Sequence, residues 1–220
     1  MMIEVWLAWV LRVGAGVLAI QAHRVPVSPT RAMAYAAAAV HHGARAGVDP
    51  FELVAIARDE SDFSEHSRGP DGKDCGLTQT RTTVSRYSCK RLMDSYQLAF
   101  AEAARELSEY AAACRGRPDF DRCRLNWYNS GARYARHGEA GRYYLRIQCF
   151  AEAARVGADV GNACRKVRSP EDIGALLARS PRPFAPPAEQ RAAEGAEEAA
   201  TRGDQRAASD RISSAWPSAW

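Results

Sequence analysis

Lysine is scarce in this chain: Lys73, Lys90 and Lys166 are the only three, so arginine supplies nearly all of the positive charge. No CxxC pair occurs, and no histidine stands at a metal-ligand spacing from the cysteines, which excludes the common structural zinc patterns. No stretch alternates apolar and polar residues between hairpin turn signals, so a sheet does not organise the fold. After residue 22 no second long apolar run follows, which excludes a polytopic membrane protein. What is present is 220 residues, 46% hydrophobic and 25% charged. That balance belongs to a folded, soluble protein rather than a mainly disordered one. Thirty basic residues against 26 acidic ones give a net charge of +4, an excess that suits an anionic polymer without requiring nucleic acid.

The two ends differ from the middle. Residues 3–22 form an apolar run broken by Glu4 and Arg12 and followed by the polar, Pro-containing HRVPVSPT. Its length fits a signal peptide or a short membrane anchor over 1–22, with a cut near Ala19 or Ala22; a buried N-terminal helix is the alternative. From residue 180 onward, four prolines fall within 181–187 and are followed by Ala, Glu, Arg, Gly and Ser. Too few large apolar side chains remain there to offset the entropy of ordering. The expectation for 180–220 is a disordered tail with a transient helix over 188–200. Its Trp216 and Trp220 are read as chance occurrences, with a docking peptide for an envelope or secretion-apparatus protein as the alternative. The folded domain would span 28–179 and be a monomer.

Six cysteines, Cys75, Cys89, Cys114, Cys123, Cys149 and Cys164, all lie between these ends. An even number without metal-ligand spacing reads as disulfides formed in an oxidising compartment. Many connectivities are open to six cysteines. Joining sequence neighbours (75 with 89, 114 with 123, 149 with 164) closes short local loops and is the expectation.

Between the ends the sequence is helical. Ser28-Pro29 opens and a glycine closes a helix over about 29–46. Asp49-Pro50 repeats the start signal for a helix through Glu60, and further helices are expected at about 94–114, 138–156 and 170–179. Any β-structure is confined to the loop after Glu60. His41-His42 would be structural or surface residues, because adjacent helical positions diverge by about 100° and do not readily share one ion. No metal and no organic cofactor is expected.

Chemistry is expected at Glu60. Leu53, Ile56 and Ala57 lie seven, four and three residues before it, so its carboxyl emerges from the apolar stripe of its helix. Desolvation there raises a carboxyl pKa, which keeps a glutamic acid protonated near neutrality as a general acid must be. Asp59, one step round, is expected to point elsewhere as an ordinary helix-end acid.

The stretch ESDFSEHSRGPDGKDCGLTQ resembles the signature of the soluble lytic transglycosylases and related lysozyme-like enzymes. That pattern has a Glu-Ser-x-Phe, here Glu60, Ser61 and Phe63, followed by a Gly-Leu-x-Gln, here Gly76, Leu77 and Gln79. Downstream, NWYNSG at 126–131 is similar to the family's Tyr-Asn-Ala-Gly element, and Tyr143-Tyr144-Leu145 to its later tyrosine. The resemblance covers about 50–150. It implies a mainly α, lysozyme-like α+β fold and an enzyme that cleaves the β-1,4 bond between MurNAc and GlcNAc in peptidoglycan.

The resemblance further implies that Glu60 protonates the leaving oxygen and then, as a base, frees the C6 hydroxyl to form a 1,6-anhydro product. Ser67 (nearest to the family's loop serine), Gln79, Tyr128, Asn129 and one of Tyr143 or Tyr144, with Tyr144 preferred, would contact sugar. Gly76 would let backbone approach the ligand, and Gly131 would relieve a turn. A hydrolase of the same bond would instead need a second carboxylate roughly 6.5–9.5 Å away, for which Asp62, Asp71 and Asp74 are candidates. A non-catalytic glycan-binding module on the same fold is the remaining alternative. The implied location is the periplasm or cell envelope, where the substrate lies.

Overall fold

The computed structural model describes residues 2–21, 26–131 and 141–181. The expected tail, its helix over 188–200 and both terminal tryptophans therefore lie outside the described residues. The described chain is mainly helical: α1 (Met2–Ile20), α2 (Pro29–Ala46), α3 (Pro50–Ser61), β1 (Asp74–Cys75), β2 (Thr80–Arg81), α4 (Cys89–Asp94), α5 (Tyr96–Ala113), α6 (Phe120–Ser130), α7 (Gly141–Val156), a 3-10 turn (Ala163–Lys166) and α8 (Pro170–Arg179). β1 and β2 pair antiparallel, with Asp74 opposite Arg81 and Cys75 opposite Thr80. The β-structure is thus confined to the loop after Glu60.

Local chemistry sets most boundaries. Ser28 accepts from the Arg31 N–H ahead of α2, and Gly47 ends that helix in the left-handed region. Asp49 accepts from Phe51 N–H, at 2.9 Å, ahead of α3. Ser169 and Asp172 form a reciprocal capping box at α8. Two helices depart from the sequence reading. α4 is a separate short helix before α5, and α6 carries the NWYNSG motif at its C-terminal end. Asp119 precedes α6 without a side-chain cap bond, so the usual start signal is missing.

The core is built where α2, α3, α5 and α7 meet. Leu53, Ile56, Phe100, Leu107, Ile147 and Phe150 are fully buried there. α1 joins that core through Val10, Val13, Val17 and Ile20. It approaches α7 closely enough that a Cβ at Gly16 would lie 2.8 Å from the Ala154 carbonyl oxygen. The C-terminal half of α1 is therefore a packed, buried helix. Ile3, Val5, Trp6, Leu7 and Leu11 near its start are exposed.

Three disulfides join sequence neighbours: Cys75–Cys89 fastens β1 to α4, Cys114–Cys123 links the end of α5 to α6, and Cys149–Cys164 ties α7 to the 3-10 turn. Polar groups also enter the core. The Arg58 side chain is fully buried, lies over the Phe150 ring, and donates to the Ile20 carbonyl at 2.5 Å, the Gly161 carbonyl and the Asn162 side chain. Glu52 of α3 and Arg124 of α6 form a buried two-bond pair at 2.6 and 2.5 Å.

Candidate active site around Glu60

Glu60 sits at the last turn of α3, where the apolar stripe of Leu53, Ile56 and Ala57 reaches the surface of the core. The helix stops one residue later. Asp62 and Phe63 both take positive φ, 53° and 63°, a conformation that non-glycine residues adopt at a cost when tertiary contacts fix them. Here Phe63 is buried and stacks on Tyr35 at 5.9 Å, while Asp62 pairs with Arg58 and Arg165. The chain is thus turned sharply away, and Glu60 is left at the lip of the turn.

One hydrogen bond holds the carboxyl itself, and two further interactions hold the chain on either side of it. The Tyr143 hydroxyl of α7 donates to Glu60 Oε1 at 2.8 Å. Next to it, Asp59 is not a free helix-end acid: its side chain is 5% exposed and accepts a two-pronged bond from Arg146, at 3.0 and 2.9 Å. That pair locks α7 against α3 one turn from Tyr143. Ser61 Oγ lies 2.6 Å from the Leu77 carbonyl and 3.0 Å from the Ala57 carbonyl, and so holds the returning loop against the helix end.

Burial raises the Glu60 pKa from 4.5 to about 7; the Tyr143 hydrogen bond opposes the rise, Asp59 and Asp74 add to it, and Arg146 counters. Desolvation dominates. Tyr143 is pushed well above its ordinary value, first by burial and then by the Glu60 charge, so its hydroxyl keeps its proton.

The Gly-Leu-x-Gln element forms the tight turn between β1 and β2. Gly76 has φ 78°, and a Cβ there would lie 2.6 Å from the Leu92 carbonyl oxygen. The close approach of α4 by itself accounts for glycine at this position. Leu77 is buried in the core. Gln79, at φ 48°, turns its amide back to the Gly76 carbonyl at 2.8 Å.

Tyr128 of α6 donates to the Thr78 carbonyl at 2.9 Å, and both burial and the charges of Glu106 and Glu60 raise its pKa. It therefore lies within electrostatic reach of Glu60. Asn129 is exposed and bonds Ser130 Oγ at 3.2 Å, and Gly131 caps α6 with φ 52°. Ser67 serves the loop through its backbone, accepting from Gly76 N–H at 2.9 Å.

Of the two adjacent tyrosines, Tyr143 carries the hydrogen bond to Glu60, whereas Tyr144 was preferred from the sequence. Tyr144 is half-buried and feels Asp121, Glu52, Arg122 and Arg124 instead of Glu60. The signal was present in the sequence: Tyr143, Ile147, Phe150 and Ala154 repeat at helical spacing, and all four are buried. Arg146 and the role of Asp59 were missed, because nothing local pairs residues 87 positions apart.

The candidate water-activating acids are all committed to cations. Asp74 accepts from Arg81 Nη1 with both oxygens at 3.0 Å, Asp71 accepts from Arg81 Nη2 at 2.7 Å, and Asp62 holds Arg58 and Arg165. What remains is one half-buried carboxyl, its pKa raised to about 7, with a tyrosine hydroxyl on it. No protein-family model, curated protein or solved structure matches this chain. With its pKa raised by burial to about 7, Glu60 can give up a proton at neutral pH and take one back, which is the requirement for general acid–base chemistry. Among the described residues no group of His, Cys, Asp and Glu could hold a metal ion.

Proposed function

We propose that this protein is a lysozyme-like peptidoglycan-cleaving enzyme that acts on the MurNAc–GlcNAc β-1,4 bond by lytic transglycosylation. The observation that carries the reading is Glu60, with a pKa near 7 and a hydrogen bond from Tyr143, at the end of a helix whose next residues match the Glu-Ser-x-Phe and Gly-Leu-x-Gln pattern. Protonated Glu60 donates to the glycosidic oxygen as the bond to the anomeric carbon breaks. The resulting carboxylate takes the proton of the MurNAc C6 hydroxyl, and that oxygen closes onto the anomeric carbon. Glu60 ends protonated, no water is consumed, and the product is a 1,6-anhydro sugar.

Two features favour this route over hydrolysis. A carboxyl whose pKa is near the working pH serves equally as acid and as base, as one group doing both steps requires. The alternative bases Asp62, Asp71 and Asp74 are each held in an ion pair with arginine, so none of the three is left unpaired to take a proton from water. Tyr143 orients the Glu60 carboxyl, and Tyr128, Gln79 and Asn129 are the sugar contacts that this reading assigns. Three disulfides support an oxidising compartment. The apolar α1 is compatible with export, and the cell envelope or periplasm is where a murein substrate would be met. A net charge of +4 favours approach to an anionic wall polymer.

The test is digestion of purified peptidoglycan by the oxidised full chain, with Glu60→Gln alongside and soluble products read by mass spectrometry. Anhydro-muropeptides from the unmutated protein alone are expected. Products heavier by one water would replace transglycosylation with hydrolysis. No product from a folded protein would overturn the enzymatic reading and leave glycan binding without cleavage.

A further inference from the structure

α5 carries a carboxyl that this chemistry does not use. Glu106 is 4% exposed, yet its Oε1 has no hydrogen-bond partner among the described residues. The Arg105 guanidinium comes no nearer than 3.6 Å and is already spent on Glu102, at 3.0 Å, and Glu109, at 2.6 Å. Glu102, one turn earlier on the same helix and also buried, shows what a structural acid looks like here. It accepts from the Arg86 guanidinium, the Arg86 N–H, the Ser85 hydroxyl and Arg105. A buried polar group left without a partner lowers stability, and a well-packed apolar side chain in its place would not. Such a group persists where a function needs it.

Its position points to the function. The Tyr128 hydroxyl lies within electrostatic reach of both Glu60 and Glu106, and Asp74 of β1 acts on both carboxyls. Beside them Tyr110, one turn after Glu106, stacks on Trp127 of α6 at 5.9 Å, and both rings are half-buried. Aromatic faces of this kind pack against the apolar faces of sugar rings.

We infer that Glu106 is a second glycan-contacting and specificity-determining group of this site: as a neutral carboxyl it donates its O–H to an oxygen of the sugar bound beside Glu60. Burial raises its pKa to about 7; Arg105 opposes the rise, while Glu102, Glu109 and Asp74 add to it. Tyr110 and Tyr128 also lie within its electrostatic reach. The donor is therefore present below about pH 7 and lost above it.

This inference rests on the proposed glycan substrate, and the test separates the two. The oxidised full chain carrying Glu60→Gln, which removes the other carboxyl titrating near neutrality, is titrated calorimetrically with a GlcNAc–MurNAc tetrasaccharide at about pH 5.5 and 8.5. Losing one such hydrogen bond weakens binding about tenfold, so the affinity is expected to fall by that factor at the higher pH. Adding Glu106→Gln, whose amide also donates, abolishes the pH dependence and retains the binding. Adding Glu106→Leu weakens binding at both pH values while leaving the melting temperature equal or higher, a combination that a merely structural acid would not give.

Persistence of the pH dependence in the Glu106→Gln protein overturns the inference, as does unweakened binding by the Glu106→Leu protein. Muropeptide release by the unmutated protein together with either of those results leaves the enzymatic reading standing and removes only Glu106. Absence of glycan binding throughout overturns both.

Discussion

Replacing Glu60 by glutamine should stabilise this protein at alkaline pH and do nothing at pH 4. The folded-state pKa of Glu60 is raised from 4.5 to about 7 by burial. Between those values the native protein holds a proton that the unfolded chain has released, so stability falls as pH rises, and the full penalty is present above about pH 7. The shift corresponds to about 3 kcal/mol. Glutamine has the same shape, can accept the 2.8 Å bond from Tyr143 through its oxygen, and carries no charge to desolvate. For a folded unit of this size the difference amounts to a rise of roughly 6–12 °C in Tm. Thermal unfolding of the oxidised proteins, followed by circular dichroism from about pH 4 to 8.5, should show the two melting curves converging at the acid end and separating towards the alkaline end. Glu106 titrates in the same range in both proteins and cancels in the comparison. Equal Tm values at pH 8.5 would show that Glu60 is hydrated and ionised in the native state, and its assignment as a neutral proton donor would fall with that result.

Tyr143→Phe removes the one hydrogen bond that favours the ionised carboxyl, so the Glu60 pKa should move still higher and the alkaline limb of the pH–activity profile with it; Tyr144→Phe should leave that limb in place. Arg146→Ala leaves the buried Asp59 carboxylate with only Arg165, at 3.9 Å, and should cost about 3 kcal/mol in denaturant unfolding, with α7 loosened from the acid it orients. Gly16→Leu should cost about 1–3 kcal/mol by overpacking α1 against Ala154; an unchanged Tm would show that α1 stands apart from the core. Loss of the Cys149–Cys164 link, by paired replacement with serine, should lower stability by about 3 kcal/mol.

The legible part of the fold was written in short-range signals. Ser28-Pro29, Asp49-Pro50 and Ser169-Pro170 each state a helix start through residues that touch within four positions, and those three starts stand where they were read. The disulfides were legible for a similar reason: separations of 9 to 15 residues close local loops. α6 was invisible because it begins without a cap bond and is polar around most of its surface. The emergence of Glu60 from an apolar stripe needed only helical periodicity.

What that glutamate meets needed the whole fold. Tyr143 and Tyr144 are neighbours in sequence but diverge by about 100° around α7, and the way α7 docks on α3, fastened by Asp59 and Arg146, gives Tyr143 to Glu60. Gly76 is glycine because α4 passes over it, and Arg58 is tolerated in the core because groups 38, 103 and 104 residues away accept its protons. The sequence by itself determined where helices begin, which cysteines are near enough to join and which acid rises from a hydrophobic face, since each depends on residues a few positions apart. Only the tertiary structure decided which tyrosine holds that acid, why its neighbour is locked and which second carboxyl was left unpaired, because desolvation and pairing depend on surfaces brought together from distant parts of the chain.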